Sequence, residues 1–148
     1  MSPTPNRVMV SRVFLIVQIA GFLAFVSAFF LPAINFADTP SSSALSGWFC
    51  ARYALWQVYA NHSMESFSKS LVILSGLINP IIAIYLTLSL TKRFPYVRLF
   101  LASCLPICLA STWFFLFGKA HMVTLIGHYL WVAGAILITA REFDQASF

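Results

Sequence analysis

Histidine and cysteine are the residues in this chain whose types and spacing could do chemistry. His121 and His128 are seven residues apart, which places them on roughly one face of a helix, and His62 could complete a ligand pair. Imidazole binds haem and metal ions, so one hypothesis is a haem or metal site on these histidines, with thiolates from Cys104 and Cys108. Only His128 falls clearly within a long apolar run, whereas a site between two helices needs ligands at matched depth. The favoured interpretation is that His128 forms a hydrogen bond to another helix.

The remaining motifs of catalysis are missing from the sequence. The three cysteines, Cys50, Cys104 and Cys108, form no C-x-x-C motif, and their odd number argues against a disulfide scaffold. The chain has no G-x-S-x-G, no H-E-x-x-H and no Gly-rich phosphate loop. Its long apolar runs contain no Asp or Glu, which argues against acid–base chemistry by buried carboxylates. The sequence therefore predicts a protein that is not an enzyme and has no cofactor or metal.

The composition indicates a membrane protein. Hydrophobic residues make up 60% of the 148 residues and charged residues only 9%, against about 25% charged in a soluble domain. So few charges could not cover the surface of a soluble protein of this size. The net charge of +5 does not indicate nucleic-acid binding, because the basic residues stand singly or in pairs at the ends of apolar runs.

Four apolar runs predict the architecture, and they cover residues 13–31, 70–90, 99–118 and 122–140. Each has about the 20 residues that cross a bilayer as a helix, and a single run can satisfy its backbone in lipid only as a helix. The first run is longer than the usual signal-peptide core of about 7–15 residues, which favours a retained helix. We therefore expect an all-α fold, a four-helix transmembrane bundle, with residues 1–148 as one membrane domain.

The basic residues predict the orientation of the bundle. Six lie on the side of the two termini and three on the opposite side, and cytoplasmic segments are the ones enriched in Lys and Arg. The two sets are Arg7, Arg12, Lys92, Arg93, Arg98 and Arg141 against Arg52, Lys69 and Lys119. This favours a multi-pass protein of the inner (plasma) membrane with both termini in the cytoplasm and residues 33–68 as an outer loop. The short connections between the last three runs predict antiparallel neighbours.

The outer loop contains an aromatic row at helical spacing. Its members are Trp48, Phe49, Tyr53, Trp56 and Tyr59. Because Trp and Tyr favour the headgroup level, we expect a short interfacial helix over residues 47–59, preceded by a polar loop at 38–43. Three alternatives remain open: the helix caps the bundle and buries the row, the row docks a protein partner, or, least favoured, the row has a catalytic role.

Polar residues inside the apolar runs are further candidate sites, because a polar group in lipid needs a partner. The main ones are Gln18, Asn79 and His128, for which hydrogen bonds between helices are the expected role. Pro80 and Pro106 predict kinks in the second and third runs. In the favoured interpretation these kinks adapt the helices to pack against each other. In the alternative, two kinked helices side by side form a transport path.

Four short elements follow one another in the sequence: FLPA at 30–33, GWFC at 47–50, NP at 79–80 and GHYLW at 127–131. In this order they resemble a group of small bacterial four-span membrane proteins of unassigned function. The resemblance implies a four-helix inner-membrane protein and brings no catalytic residues. In size and span number the chain is also similar to the immunity proteins that block pore-forming toxins in the inner membrane.

These observations favour a non-enzymatic interaction protein of the inner membrane. Its expected partners are the lipid bilayer and another protein, either a membrane-acting toxin that it neutralises as an immunity protein or a subunit of a membrane complex. An oligomer is compatible with the sequence. The alternatives are a small transporter or channel component and, less favoured, a haem or redox protein.

Overall fold

Five helices and one small sheet form the described part of the computed structural model, which comprises residues 5–36, 44–60, 65–91, 93–118 and 122–146. The fold is mostly helical, as predicted. Two of the helices, α3 and α4, are long and apolar enough to cross a membrane, and α1 contains a shorter apolar stretch, Val13–Ala28. The elements in chain order are α1 (Pro5–Ala28), β1 (Pro32–Phe36), β2 (Leu45–Ser46), α2 (Gly47–Ala60), α3 (Ser66–Thr91), α4 (Pro95–Gly118), β3 (Met122–Thr124) and α5 (Ile126–Ala146).

The first and last helices pack as an antiparallel pair, and two glycines set their close approach. A Cβ added at Gly134 would lie 2.6 Å from the backbone nitrogen of Phe25, and one added at Gly21 would lie 2.7 Å from the Cβ of Leu137. Small residues at such contacts let two backbones meet, which is how helices associate in lipid. The side-chain amide of Gln18 adds a hydrogen bond of 3.2 Å to the carbonyl of Ile138.

Helices α3 and α4 form a second antiparallel pair, joined by a tight turn. Pro95 is the first residue of α4, where its missing N–H costs nothing. Phe94, just before it, has a φ of 53°, in the left-handed region that reverses the chain. Both helices run through their internal prolines, Pro80 and Pro106, so neither proline divides its helix.

A shared core joins the two pairs. Ile78, Ile82 and Tyr85 of α3 are at most 1% exposed, and they pack with residues of α4 and with Ala135 and Ile138 of α5. Direct contacts between α4 and α5 complete the join. All four long helices therefore belong to one packed body.

The small sheet is the main feature that the sequence did not predict. Its strand order is β2-β1-β3, and β1 pairs antiparallel with both neighbours. The pair Ile34–Thr124 holds β3 against β1, and the N–H of Leu125 donates to the carbonyl of Ala33 at 2.8 Å. Because 122–124 is paired as a strand, α5 begins at Ile126 and not at the predicted residue 122. We call this end of the bundle the sheet end.

The opposite end carries a buried polar cluster that the sequence analysis missed. Glu142 is 5% exposed, and its Oε1 accepts a hydrogen bond of 3.1 Å from the Tyr85 hydroxyl. The Nε of Arg98 lies 3.5 Å from the same oxygen, near enough for an ion pair but not aligned as a hydrogen bond. Helix α5 continues past Arg141 to Ala146, and the contacts of Glu142 with Tyr85 and Arg98 tie its last part to α3 and α4. The predicted loop at 38–43 lies outside the described residues.

Candidate binding cavity

A cavity of about 450 Å³ lies at the sheet end, and all eight elements contribute to its lining. Small-molecule sites in proteins occupy about 300–1,000 Å³. Aliphatic and aromatic side chains form most of the wall, including Ile34 and Leu45 of the sheet and Phe115 of α4. Among the described lining residues the polar side chains are Ser75, Asn79, Thr112 and His128, with the indole N–H of Trp131, the hydroxyl of Tyr53 and the thiol of Cys50. None of the described lining residues is an Asp, Glu, Lys or Arg.

Asn79 and Trp131 form a hydrogen bond at the cavity wall. The Nε1 of Trp131 donates to the Oδ1 of Asn79 at 3.0 Å, joining α5 to α3. An indole N–H can only donate, so this bond fixes which end of the Asn79 amide is the oxygen. The amide NH₂ group makes no hydrogen bond to any described residue.

His128 lies in the first turn of α5, is 4% exposed, and has a defined tautomer. Its Nε2 accepts a hydrogen bond of 2.7 Å from the Nε1 of Trp113. A nitrogen that accepts from an indole carries no proton, so the imidazole is neutral and its proton sits on Nδ1. The His128 ring lies 5.7 Å from that of Trp131, centre to centre, which places the two polar groups side by side.

Ser75 and Thr112 form a second link between α3 and α4 at the cavity. Their hydroxyl oxygens are 3.0 Å apart, and the Thr112 oxygen is also 3.0 Å from the carbonyl of Cys108. One hydroxyl proton can serve only one of these bonds at a time. This pair therefore stabilises the helix hairpin at the level of the cavity.

Helix α2 covers one side of the cavity with its small residues. Cys50, Ala51 and Ala54 line the cavity, and the backbone of Ala54 lies close to Gly76 of α3. The predicted interfacial helix over residues 47–59 corresponds to α2.

The aromatic row of α2 lies on its outward face. Trp48 and Trp56 are each 65% exposed, and the rings of Phe49 and Tyr53 are half-exposed and stacked 6.2 Å apart. The alternative in which a cap helix buries this row against the bundle is therefore wrong. Phe49 and Tyr53 also reach the cavity lining, so the row continues into the cavity. The side chain of Tyr59 lies outside the described residues.

Two glycines bring the elements of the site together. A Cβ at Gly47 would collide with the carbonyl oxygen of Ala28, and one at Gly127 would lie 2.8 Å from the carbonyl oxygen of Pro32. The N–H of Gly47 donates to the carbonyl of Leu31 at 3.1 Å. The elements FLPA, GWFC, NP and GHYLW, far apart in the sequence, thus meet around one cavity.

The other residues considered for chemistry do not assemble into a site. His62 and His121 lie outside the described residues, and within the described part no three His, Cys, Asp or Glu side chains are placed to hold a metal ion. Burial raises the pKa of Cys50 to about 11, which keeps this thiol protonated. Cys108 is packed in the core.

Sequence reasoning found Asn79 and His128 but not their partners. Trp113 and Trp131 look like ordinary apolar residues in a long run, and their distances in sequence from Asn79 and His128 gave no signal of pairing. No family model, curated protein or solved structure matches this chain.

Proposed function

We propose that this chain is a non-catalytic binding protein of the inner membrane, which takes an apolar guest into the cavity at its sheet end. The observation that carries the proposal is the cavity itself, a space of about 450 Å³ with apolar walls and a few uncharged polar groups. Such a lining suits binding, because the walls desolvate the guest and the polar groups orient it.

The proposal includes four membrane spans, with the sheet end outside. A 26-residue helix such as α3 is about 39 Å long, enough for a hydrocarbon layer of about 30 Å. Helix α1 turns large apolar side chains outward: Leu15, Ile16 and Leu23 are each more than half exposed. In water so large an apolar surface would be costly, whereas in lipid it is expected. Helix α5 crosses the membrane together with α1 in this proposal, because the two helices pack as an antiparallel pair.

The aromatic row of α2 supports a position of the cavity at the outer membrane interface. Exposed Trp and Tyr rings favour the headgroup level, where the ring is buried and its polar tip stays wet. Trp48 and Trp56 satisfy this on the outward face of α2. A guest reaches the cavity from the outer leaflet or from a protein that inserts there.

The polar groups of the cavity are suited to holding and not to reacting. The Nε2 of His128 is occupied by Trp113, so it is not placed to act as a base. The raised pKa of Cys50 makes this thiol a poor nucleophile at neutral pH.

Photo-crosslinking in living cells tests the binding proposal. A photoreactive amino acid at Phe49, on the cavity wall, is compared with one at Leu90, which is 84% exposed at the other end of α3. We expect a discrete adduct at position 49 that is missing at position 90. The same mixture of adducts at both positions would show that Phe49 contacts bulk lipid only, and would overturn the proposal.

The special case that we favour is an immunity protein. In it the partner is a toxin that inserts into the same membrane, and its apolar segment docks on the aromatic row, which continues into the cavity. Cells that express the chain should survive a toxin encoded beside its gene, and cells expressing the double variant Trp48→Ala, Trp56→Ala should not. Equal survival with and without the chain for every neighbouring toxin would remove this special case while leaving the binding proposal standing.

A further inference from the structure

The hydrogen bonds at the cavity wall leave Asn79 and His128 with more free donors than free acceptors. Trp131 uses the oxygen of Asn79, and Trp113 uses the acceptor nitrogen of His128. Three N–H groups of these two side chains remain, two on the Asn79 amide and the Nδ1–H of His128, against one lone pair that Trp131 leaves on the Asn79 oxygen. None of the three N–H groups finds an acceptor among the described residues. Because both side chains line the cavity, these donors are available to a guest that accepts hydrogen bonds.

The charge of the lining narrows the chemistry of that guest. The described residues that line the cavity include no Asp, Glu, Lys or Arg, so an ion would lose its hydration without gaining a counter-charge from them. A hydroxyl guest could also accept these bonds, but its own proton would then need the one lone pair left on the Asn79 oxygen, or a Ser75 or Thr112 hydroxyl, and these two already bond each other. A carbonyl oxygen accepts two hydrogen bonds and donates none, which matches the set.

A peptide helix does not meet this requirement well, because the carbonyls inside a helix are bonded to its own N–H groups. A small amphiphile does: its carbonyl meets the donors and its hydrocarbon body fills the apolar wall. Trp131 lies between the two donors, bonded to Asn79 and with its ring 5.7 Å from that of His128, so both can reach one guest.

We infer that the cavity binds a neutral amphiphile through a carbonyl oxygen, which accepts hydrogen bonds from the side-chain amide of Asn79 and the imidazole of His128. In a membrane this chemistry has two sources, the ester carbonyls of acyl lipids and the ring carbonyls of quinones. The inference rests on the proposed function, since it names the class of guest for the same cavity.

Matched ligand pairs test the inference on the full chain purified in dodecyl maltoside, a detergent without carbonyls. The first pair is dioctanoylglycerol and its diether analogue, and the second is a decyl-substituted benzoquinone and decylbenzene. In one of the two pairs we expect the carbonyl member to bind about tenfold more tightly than its partner. A tenfold change in Kd corresponds to about 1.4 kcal/mol of binding free energy. The pair that shows the preference identifies the source of the guest.

Two variants assign the preference to the donors. His128→Phe and Asn79→Leu should each reduce the carbonyl preference toward one, whereas Ser103→Ala, an exposed hydroxyl on α4, should retain it. His128→Phe should destabilise the fold less than Asn79→Leu does, because Trp113, which loses its hydrogen-bond acceptor, is already 44% exposed. Far-ultraviolet circular dichroism checks that each variant is folded, and if Asn79→Leu is not, His128→Phe alone decides.

The possible results separate the inference from the proposed function. Equal binding of both members of each pair, or a preference that survives His128→Phe, overturns the carbonyl inference and leaves the cavity as a binding site. If no member of either pair binds, the carbonyl inference fails for both sources, and the crosslinking at Phe49 then decides whether the cavity has a different guest.

Discussion

At the scale of single residues, two tryptophans determine what the cavity offers to a guest. Trp131 and Trp113 each donate an indole N–H, one to Asn79 and the other to His128. By occupying the Nε2 of His128 and one lone pair of the Asn79 oxygen, they leave these two side chains with more donors than acceptors. Both tryptophans also connect helices, so the same bonds that define the site hold α5 against α3 and α4.

Trp131→Phe should therefore destabilise the protein by more than the same change at an exposed position. The variant removes the donor to Asn79, and hydrogen bonds between membrane helices contribute about 0.6–2 kcal/mol, to which the smaller ring adds a packing loss. Trp48→Phe is the matched control, since Trp48 is 65% exposed. The free energy of unfolding, followed by circular dichroism in detergent, measures both. Equal losses in the two variants would show that the Asn79–Trp131 bond contributes nothing.

Cys50 should show the reactivity of a thiol whose pKa is raised. Only the thiolate is alkylated, and burial raises the pKa of Cys50 to about 11. Its alkylation rate should keep increasing up to about pH 11, whereas the rate for an ordinary thiol levels off near pH 9. The measurement needs a background with Cys104 and Cys108 replaced by alanine.

A new cysteine on the same helix provides the control for that experiment. Trp48→Cys, made in a background without native cysteines, places a thiol on the exposed face of α2. Its rate should level off at the ordinary pH. Coinciding pH profiles for the two thiols would show that Cys50 is not desolvated.

At the scale of elements, the sequence predicts the helices well and the contacts between them poorly. The run 70–90 and helix α3 agree because lipid-length apolar stretches have one stable form. The sheet was missed because β2 and β3 are two and three residues long, too short for an alternating pattern. Tyr85–Glu142 was missed because a polar side chain just beyond an apolar run looks like a solvated tail.

The packing of α1 on α5 should be sensitive to substitution of Gly134, one of the two glycines at their contact. Gly134→Ala places a Cβ where the backbone of Phe25 now lies, 2.6 Å away, so the two helices must separate. The cost should be about 1–3 kcal/mol, typical of overpacking. Thermal unfolding in detergent measures it.

Gly118→Ala provides the control, because among the described residues its Cβ would meet only the Phe114 ring, at 3.9 Å or more. Gly118 is the last residue of α4, where alanine is tolerated, so this control should be close to neutral. A loss at Gly118 as large as that at Gly134 would show that flexibility, and not close approach, explains both positions.

At the scale of the whole molecule, the central question is how many of the helices cross the bilayer. Helices α3 and α4 meet the length and hydropathy criteria on their own, whereas α1 and α5 enter the proposal through their packing and their outward apolar side chains. The two arrangements place the C-terminus differently. With four spans it lies on the opposite side from α2. With only α3 and α4 crossing, it lies on the same side as α2.

Cysteine labelling of the full chain distinguishes these arrangements. In a variant without native cysteines, one cysteine replaces Ser66, the exposed first residue of α3, or is added after residue 148. A maleimide that cannot cross membranes should label position 66 in intact cells and the C-terminal cysteine only after lysis. Arg93→Cys, in the exposed turn between α3 and α4, should behave like the C-terminus. If position 66 and the C-terminus react alike while position 93 differs, only two helices cross, and the cavity then lacks the two membrane-crossing walls that α1 and α5 give it.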